Sequence, residues 1–177
     1  MVNLRRLRIP FAAIVAALAL FFLIGVAMNR TAMSVVRVKL KAGADEPSDH
    51  HLLGVGGKDK LPDYELRFRS GDDWRPIAAH RNTTAKDGLE FRLNEPWPMR
   101  KVDELQLVEL DHLEDDVLEQ IQIQPGRIDG NAFEFEVVKT ESWSAGAEWF
   151  WDSSIGKAIL LGITLGVAAI VIGNFGI

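Results

Sequence analysis

Along this 177-residue chain, two stretches of twenty residues carry no charged side chain, Ile9–Met28 and Ala158–Ile177. Twenty helical residues rise about 30 Å, the thickness of a bilayer's hydrocarbon core. A helix on the surface of a soluble protein keeps one polar face, and neither run has one. The pattern therefore predicts transmembrane helices over residues 9–28 and 155–177, with a basic flank over residues 1–8. Pro10 sits in the first turn, where its missing N–H does no harm. Asp152, Ser153 and Ser154 are N-cap candidates for the second helix, and Lys157 can reach up to the headgroups. A cleaved signal peptide is the rival account of the first run, with Arg5–Arg8 as its basic region and Gly25-Val26-Ala27 as a small-x-small cleavage site. The run is longer than an ordinary signal-peptide core, which favours its retention.

Between the runs the period changes from none to two. Val35–Lys41, Tyr64–Arg69, Trp74–Ala79, Leu89–Leu93, Leu105–Leu110, Ile121–Ile123 and Phe133–Val137 read as strands with one apolar and one charged face. Pro76 marks its strand as an edge. Ala42–Lys60 reads as a long loop, Ser70–Asp73 and Asp87-Gly88 as turns, Glu95–Pro98 as a loop and Pro125-Gly126 as a turn. Asp103–Glu119 has room for a helical turn. Seven or eight short strands with turns about every ten residues indicate an antiparallel β-sandwich over residues 31–141. The fold class expected is a membrane-anchored all-β protein, a sandwich between two transmembrane α-helices.

Charge adds location. Between Arg37 and Asp152 there are 15 basic and 25 acidic residues, a net −10. That surplus would repel phosphate and excludes nucleic acid as a partner. Arg5, Arg6 and Arg8 precede the first run, so positive-inside places the N-terminus in the cytoplasm. Two spans then return the C-terminus there and put the acidic domain on the other side. A bacterial inner membrane with a periplasmic sandwich fits. With no cysteine, disulfides, thiolate metal sites and cysteine nucleophiles are excluded.

The second run carries a G-x-x-x-G pair, Gly162 and Gly166, and Ala169 and Gly173 continue the stripe. Small residues let a second helix approach closely. The stripe admits packing on this chain's own first helix, docking of another membrane subunit, or no specific role. Just before it, residues 142–154 gather Trp143, Trp149, Phe150 and Trp151. This is an aromatic belt for the membrane interface, a short helix lying on the membrane, or a platform contacting a partner or pigment; the helices also admit pigment or lipid against them.

Pro62-Asp63-Tyr64-Glu65-Leu66, Leu93-Asn94-Glu95-Pro96-Trp97 and Leu105-x-Leu-x-Glu109-x-Asp111 with Asp115-Asp116 follow one another in an order and spacing that resemble the motifs of C2 domains. Glu109 stands in place of an aspartate and Glu119 in place of a glycine. The resemblance implies a β-sandwich. It also implies a Ca²⁺ site, with Asp63, Glu109, Asp111, Asp115 and Asp116 at the matching positions. Clustered carboxylates supply the six to eight oxygens that Ca²⁺ takes. The family's other first-loop aspartate has no match, since Gly57 lies near its place and Asp59 is displaced. A solvated acidic loop accounts for the same residues without a metal.

The four histidines, His50, His51, His80 and His112, form no H-x₃-H pattern. No nucleophile elbow, zincin, P-loop or dinucleotide fingerprint occurs. Asn82-Thr83-Thr84 is a formal glycosylation sequon. Charged residues on alternating strands are expected to face outward. No enzyme is therefore expected, and no cofactor beyond the Ca²⁺ candidate. The function expected is an accessory subunit of a respiratory, photosynthetic or transport complex, with other integral membrane subunits as partners. The alternative is a membrane-tethered module binding Ca²⁺ or a basic protein.

Overall fold

The computed structural model describes residues 4–47, 61–110, 115–124 and 126–175. The chain divides into two compact units, Met1–Arg30 with Ser142–Ile177, and Thr31–Glu141. Among the described residues the first contains three helices, α1 (Leu4–Met28), α2 (Trp143–Asp152) and α3 (Ser154–Phe175). Both α1 and α3 are long and apolar enough to cross a bilayer.

The second unit is a β-sandwich of eight strands among the described residues: β1 (Thr31–Leu40), β2 (Tyr64–Ser70), β3 (Asp73–His80), β4 (Leu89–Pro98), β5 (Glu104–Glu109), β6 (Asp116–Gln122), β7 (Gly126–Asp129) and β8 (Phe133–Glu141). One sheet runs β4-β1-β8-β7, the other β3-β2-β5-β6. All described pairings are antiparallel. Period-two alternation sends Val36, Val38 and Leu40 of β1 inward and leaves Arg37 and Lys39 outside. Leu66 and Phe68 of β2 and Phe133, Phe135 and Val137 of β8 complete the same layer. Tyr64 packs edge-on against Phe133 across the two sheets, ring centroids 6.2 Å apart. Burying each such side chain contributes about 1.5–3 kcal/mol.

Three details differ from the alternation pattern. Glu95–Pro98, expected as a loop, belongs to β4, with Met33↔Trp97 and Ala32↔Pro98 in register. Prolines are tolerated there because β4 is an edge strand, and residues 93–96 have no register partner on β1. The turn expected at Pro125-Gly126 leads directly into another edge strand, β7, with Gly126 at φ 94°. The described residues of Asp103–Glu119 are mostly strand, and the helical turn lies just before them, at Met99–Lys101. β3, with Pro76, is an edge as its proline requires.

Glu119 of β6 is the largest departure from the expectation of outward charges. It is buried and accepts backbone N–H groups from Asn131, Ala132 (3.1 Å) and Phe133 (3.1 Å). Those residues span the end of the β7–β8 turn and the start of β8 in the opposite sheet, so one carboxylate fastens the two layers. A Cβ on Gly130 would stand 2.5 Å from that carboxylate, which is why glycine occupies the turn.

Candidate functional site

The positions matching the C2 motifs lie where β2 begins, β5 ends and β6 begins. Asp63 precedes β2. Its carbonyl accepts the Leu110 N–H at 2.8 Å, and its Oδ1 accepts the Asn82 N–H at 2.6 Å. Asn82 holds a left-handed backbone (φ 46°), which asparagine tolerates better than most residues. Glu109 closes β5, is buried, and stands in register with Tyr64 on one side and Asp116 on the other. The Asp115 carboxylate accepts the Arg67 guanidinium at 2.6 Å, and the same guanidinium bonds Glu65. Asp111 lies outside the described residues, as do His50, His51, His112, Gly57 and Asp59. Among the described residues no three or more acidic or histidine side chains converge as a metal site. Asp63 and Asp115 are instead engaged by a backbone amide and an arginine.

At the same end of the sandwich, Glu46 holds a tighter cluster that the sequence pattern did not reveal. Its Oε1 accepts the Ala85 N–H at 2.6 Å and the Tyr64 O–H at 3.2 Å, and its Oε2 accepts the Thr84 O–H at 2.8 Å. Burial, followed by the negative charges of Glu46 and Glu109, raises the Tyr64 phenol far above its ordinary value. Tyr64 therefore remains a neutral donor throughout the physiological range. The cluster fastens the segment after β1 to the loop before β4.

On the outer face of β4-β1-β8-β7, a depression of about 460 Å³ is lined by the side chains of Arg37, Lys39, Glu90, Arg127, Glu134 and Glu136. Arg37 bonds Glu90 at 3.0 Å and Glu136 at 3.2 Å, while Arg127 bonds Glu134. Hydrogen bonds from Arg37 and from Arg127 hold the Glu90 and Glu134 carboxyls below the ordinary range. These charges satisfy one another across neighbouring strands.

The helical unit places the small-residue stripe against α1. A Cβ on Gly162 would stand 2.9 Å from Leu18, and one on Gly166 2.5 Å from Val15. Ala169 is half-buried on the same helix. Gly173 lies within α3, and its surroundings fall outside the described residues. The four aromatics separate by role. Phe150 is buried, meets Phe22 edge-on at 5.3 Å, and occupies the space a side chain on Gly25 would need. Trp143 and Trp151 are exposed, Trp149 half-buried, and the Arg30 guanidinium lies 4.7 Å from the Trp143 ring centre.

The segment of these aromatics is itself a helix, α2. Ser142 caps its start, accepting the Ala145 N–H. Ser153 separates it from α3 with an extended backbone (ψ 147°) and caps both ends. Its Oγ–H and N–H donate to the Phe150 carbonyl, while its Oγ accepts the Gly156 N–H at 2.9 Å. One serine thus satisfies a helix C-terminus and a helix N-terminus.

No protein family and no curated protein matches the chain. Among solved structures, it is similar to the paired C2 domains, A and B, of extended synaptotagmin 2, with 15% identity and a TM-score of 0.30 over 60% of this chain and 42% of that one. A calcium-bound form of the same two domains matches at 15% identity and TM-score 0.29, over 60% of this chain and 46% of the other. The match spans less than half of each of those chains. The middle unit is two antiparallel sheets with a weak resemblance to C2 domains, and two apolar helices flank it in sequence.

Proposed function

We propose that the chain is a non-catalytic accessory subunit of a larger membrane complex, of respiratory, photosynthetic or transport type. It is anchored by α1 and α3 and holds the β-sandwich outside the cytoplasm. The observation that carries this reading is the division of labour among side chains. The carboxylates brought together in the sandwich are engaged in fastening its own strands and loops. The two long helices meet through Gly162 and Gly166, yet Leu20, Phe21, Leu161, Leu165, Val171 and Ile172 remain exposed on their outer sides. Those apolar faces suit lipid and the helices of neighbouring subunits. The basic residues before α1, Arg5, Arg6 and Arg8, support a cytoplasmic N-terminus.

Extraction in a mild detergent followed by native mass spectrometry tests the proposal. The expected result is a particle in which the 19.7 kDa chain accompanies other integral subunits in fixed ratio. A protomer or homodimer alone, from several detergents, contradicts it. The alternative, a tethered module for Ca²⁺ or a basic protein, draws on the acid surplus of the sandwich, 23 acidic against 15 basic residues between Thr31 and Glu141. Calorimetric titration of the full chain with millimolar Ca²⁺ separates the two. Heat together with a raised Tm favours the module, and their absence removes its cation form.

A further inference from the structure

The contacts within the helical unit fix how its helices lie beside one another in height. Ser142 donates to the Arg30 carbonyl at 2.9 Å, Gly146 abuts the Val26 carbonyl, and Phe150 lies on Phe22 and Gly25. Further along, Gly162 meets Leu18 and Gly166 meets Val15. Both α2 and α3 therefore run antiparallel to α1. Extending the α3 contacts back at one residue per residue brings Ala158 level with Phe22.

The charge-free run of α3 thus begins at the height of Phe22, whereas that of α1 continues to Met28. The last six residues of that run, about 9 Å of helix, stand beside α2 and the first turn of α3. Glu148, between the Val26 and Phe22 contacts of α2, and Lys157, one residue before Ala158, lie at that height. Placing these charges in hydrocarbon would cost several times what an exposed leucine or isoleucine gains there. The hydrocarbon boundary therefore falls near Phe22 and Ala158. At it or above it, Leu23, Ile24, Met28, Trp143 and Trp151 are all more than 40% exposed.

We infer that these five side chains form a collar seated in the phospholipid headgroup and glycerol layer, with the exposed Lys157 ammonium at its lower rim facing lipid phosphate. The occupant follows from height and chemistry. The collar begins where the charge-free runs stop matching. The Phe22-to-Arg30 rise of about 12 Å covers one headgroup layer, about 5–8 Å thick. Tryptophan, with an apolar body and a polar N–H, prefers this zone to either neighbour. Phe150, buried between the helices, is removed from lipid and serves to pin the collar together. This inference rests on α1 and α3 crossing the bilayer.

Because the chain has no cysteine, single nitroxide labels can be placed on the full chain at Trp151, Met28 and Leu165 without background. In vesicles of phosphatidylcholine and phosphatidylglycerol, collision rates with oxygen and with a water-soluble nickel chelate report depth. The expected order has Leu165 deep in hydrocarbon, Trp151 about 10 Å shallower and Met28 shallower still. At both collar positions nickel collisions should be severalfold fewer than at a free label. A Trp151 label as deep as that at Leu165 overturns the inference, because α2 would then lie in hydrocarbon. Trp151 and Met28 labels as nickel-accessible as a free label also overturn it, because lipid would not cover the collar. A nickel-accessible Leu165 label instead removes the membrane crossing on which the inference rests.

Discussion

The two units of this protein hold their elements together by opposite means. In the sandwich, an apolar core is supplemented by carboxylates turned inward, Glu119 on three backbone amides and Glu46 on an amide and two hydroxyls. In the helical unit, contact is made by removing side chains, with Gly25, Gly146, Gly162 and Gly166 each facing an atom that a Cβ would strike. The difference follows from the backbone. Helices satisfy their own amides and need only close approach, whereas strand ends and turns expose amides that something must accept. Substitutions should therefore act differently in each unit, by orphaning donors in one and by steric wedging in the other.

The largest effect is expected from Glu119→Ala, which leaves three amides without their acceptor. We expect a loss of about 4 kcal/mol, read by chemical unfolding of the full chain in detergent. Glu119→Gln retains an acceptor oxygen and should recover part of it. A loss below about 1 kcal/mol would show that water replaces the carboxylate without penalty. Glu46→Ala removes the acceptor of one amide and two hydroxyls and should cost about 3 kcal/mol. Its increase in hydrogen exchange should be confined to residues near Tyr64 and Ala85.

Gly166→Leu probes the other unit. Driving a leucine against Val15 should weaken helix pairing by about 2 kcal/mol and broaden the distance between spin labels at Ile14 and Leu165. Exchange protection in β2 and β5 should not change. Loss of sandwich protection would mean that the units are not distinct in the way described.

Tyr64→Phe should cost about 1 kcal/mol at neutral pH and change the alkaline limb. The folded phenol titrates far above the unfolded value of about 10, so its contribution is full below that pH and is lost as pH rises beyond it. The variant should lack this part of the decline. Tyr64 is the only tyrosine, so phenolate absorbance reports it alone. Titration of the folded protein near pH 10 would refute its burial against Glu46. The smallest effect is expected from Asp115→Asn, about 0.5 kcal/mol, because its pairing with Arg67 is partly solvated. In the opposite pH direction, Glu90 and Glu134 support the fold above the ordinary carboxylate range and lose that support as pH falls through their lowered values. Glu90→Gln with Glu134→Gln should flatten the acid limb.

Legibility in sequence followed the same division. Alternation such as Val36-Arg37-Val38-Lys39-Leu40 revealed the strands, because one face is core and the other solvent. The glycine spacing of Gly162 and Gly166 revealed a contact face but left its partner open among three readings, since only the structure shows Leu18 and Val15 opposite. The carboxylates were the least legible. Glu119 sits in a strand beside exposed acids, and nothing in its neighbours marks it as inward. The amides it accepts lie twelve to fourteen residues away in sequence, on the other sheet. Glu46 was hidden for the same reason, its partners being Tyr64, Thr84 and Ala85. Trp97 was hidden by the prolines on either side, which suggest a loop but are compatible with an edge strand. Phe150 was grouped with its exposed tryptophan neighbours because helical packing, rather than composition, sends it inward.

The central claim is that α1 and α3 pass through lipid and hold this protein in a membrane. Washing membranes with alkaline sodium carbonate, which opens vesicles and strips peripheral proteins, tests it most directly. The account predicts that the full-length chain stays in the pellet and is released only by detergent. Recovery of the chain in the carbonate supernatant would contradict it.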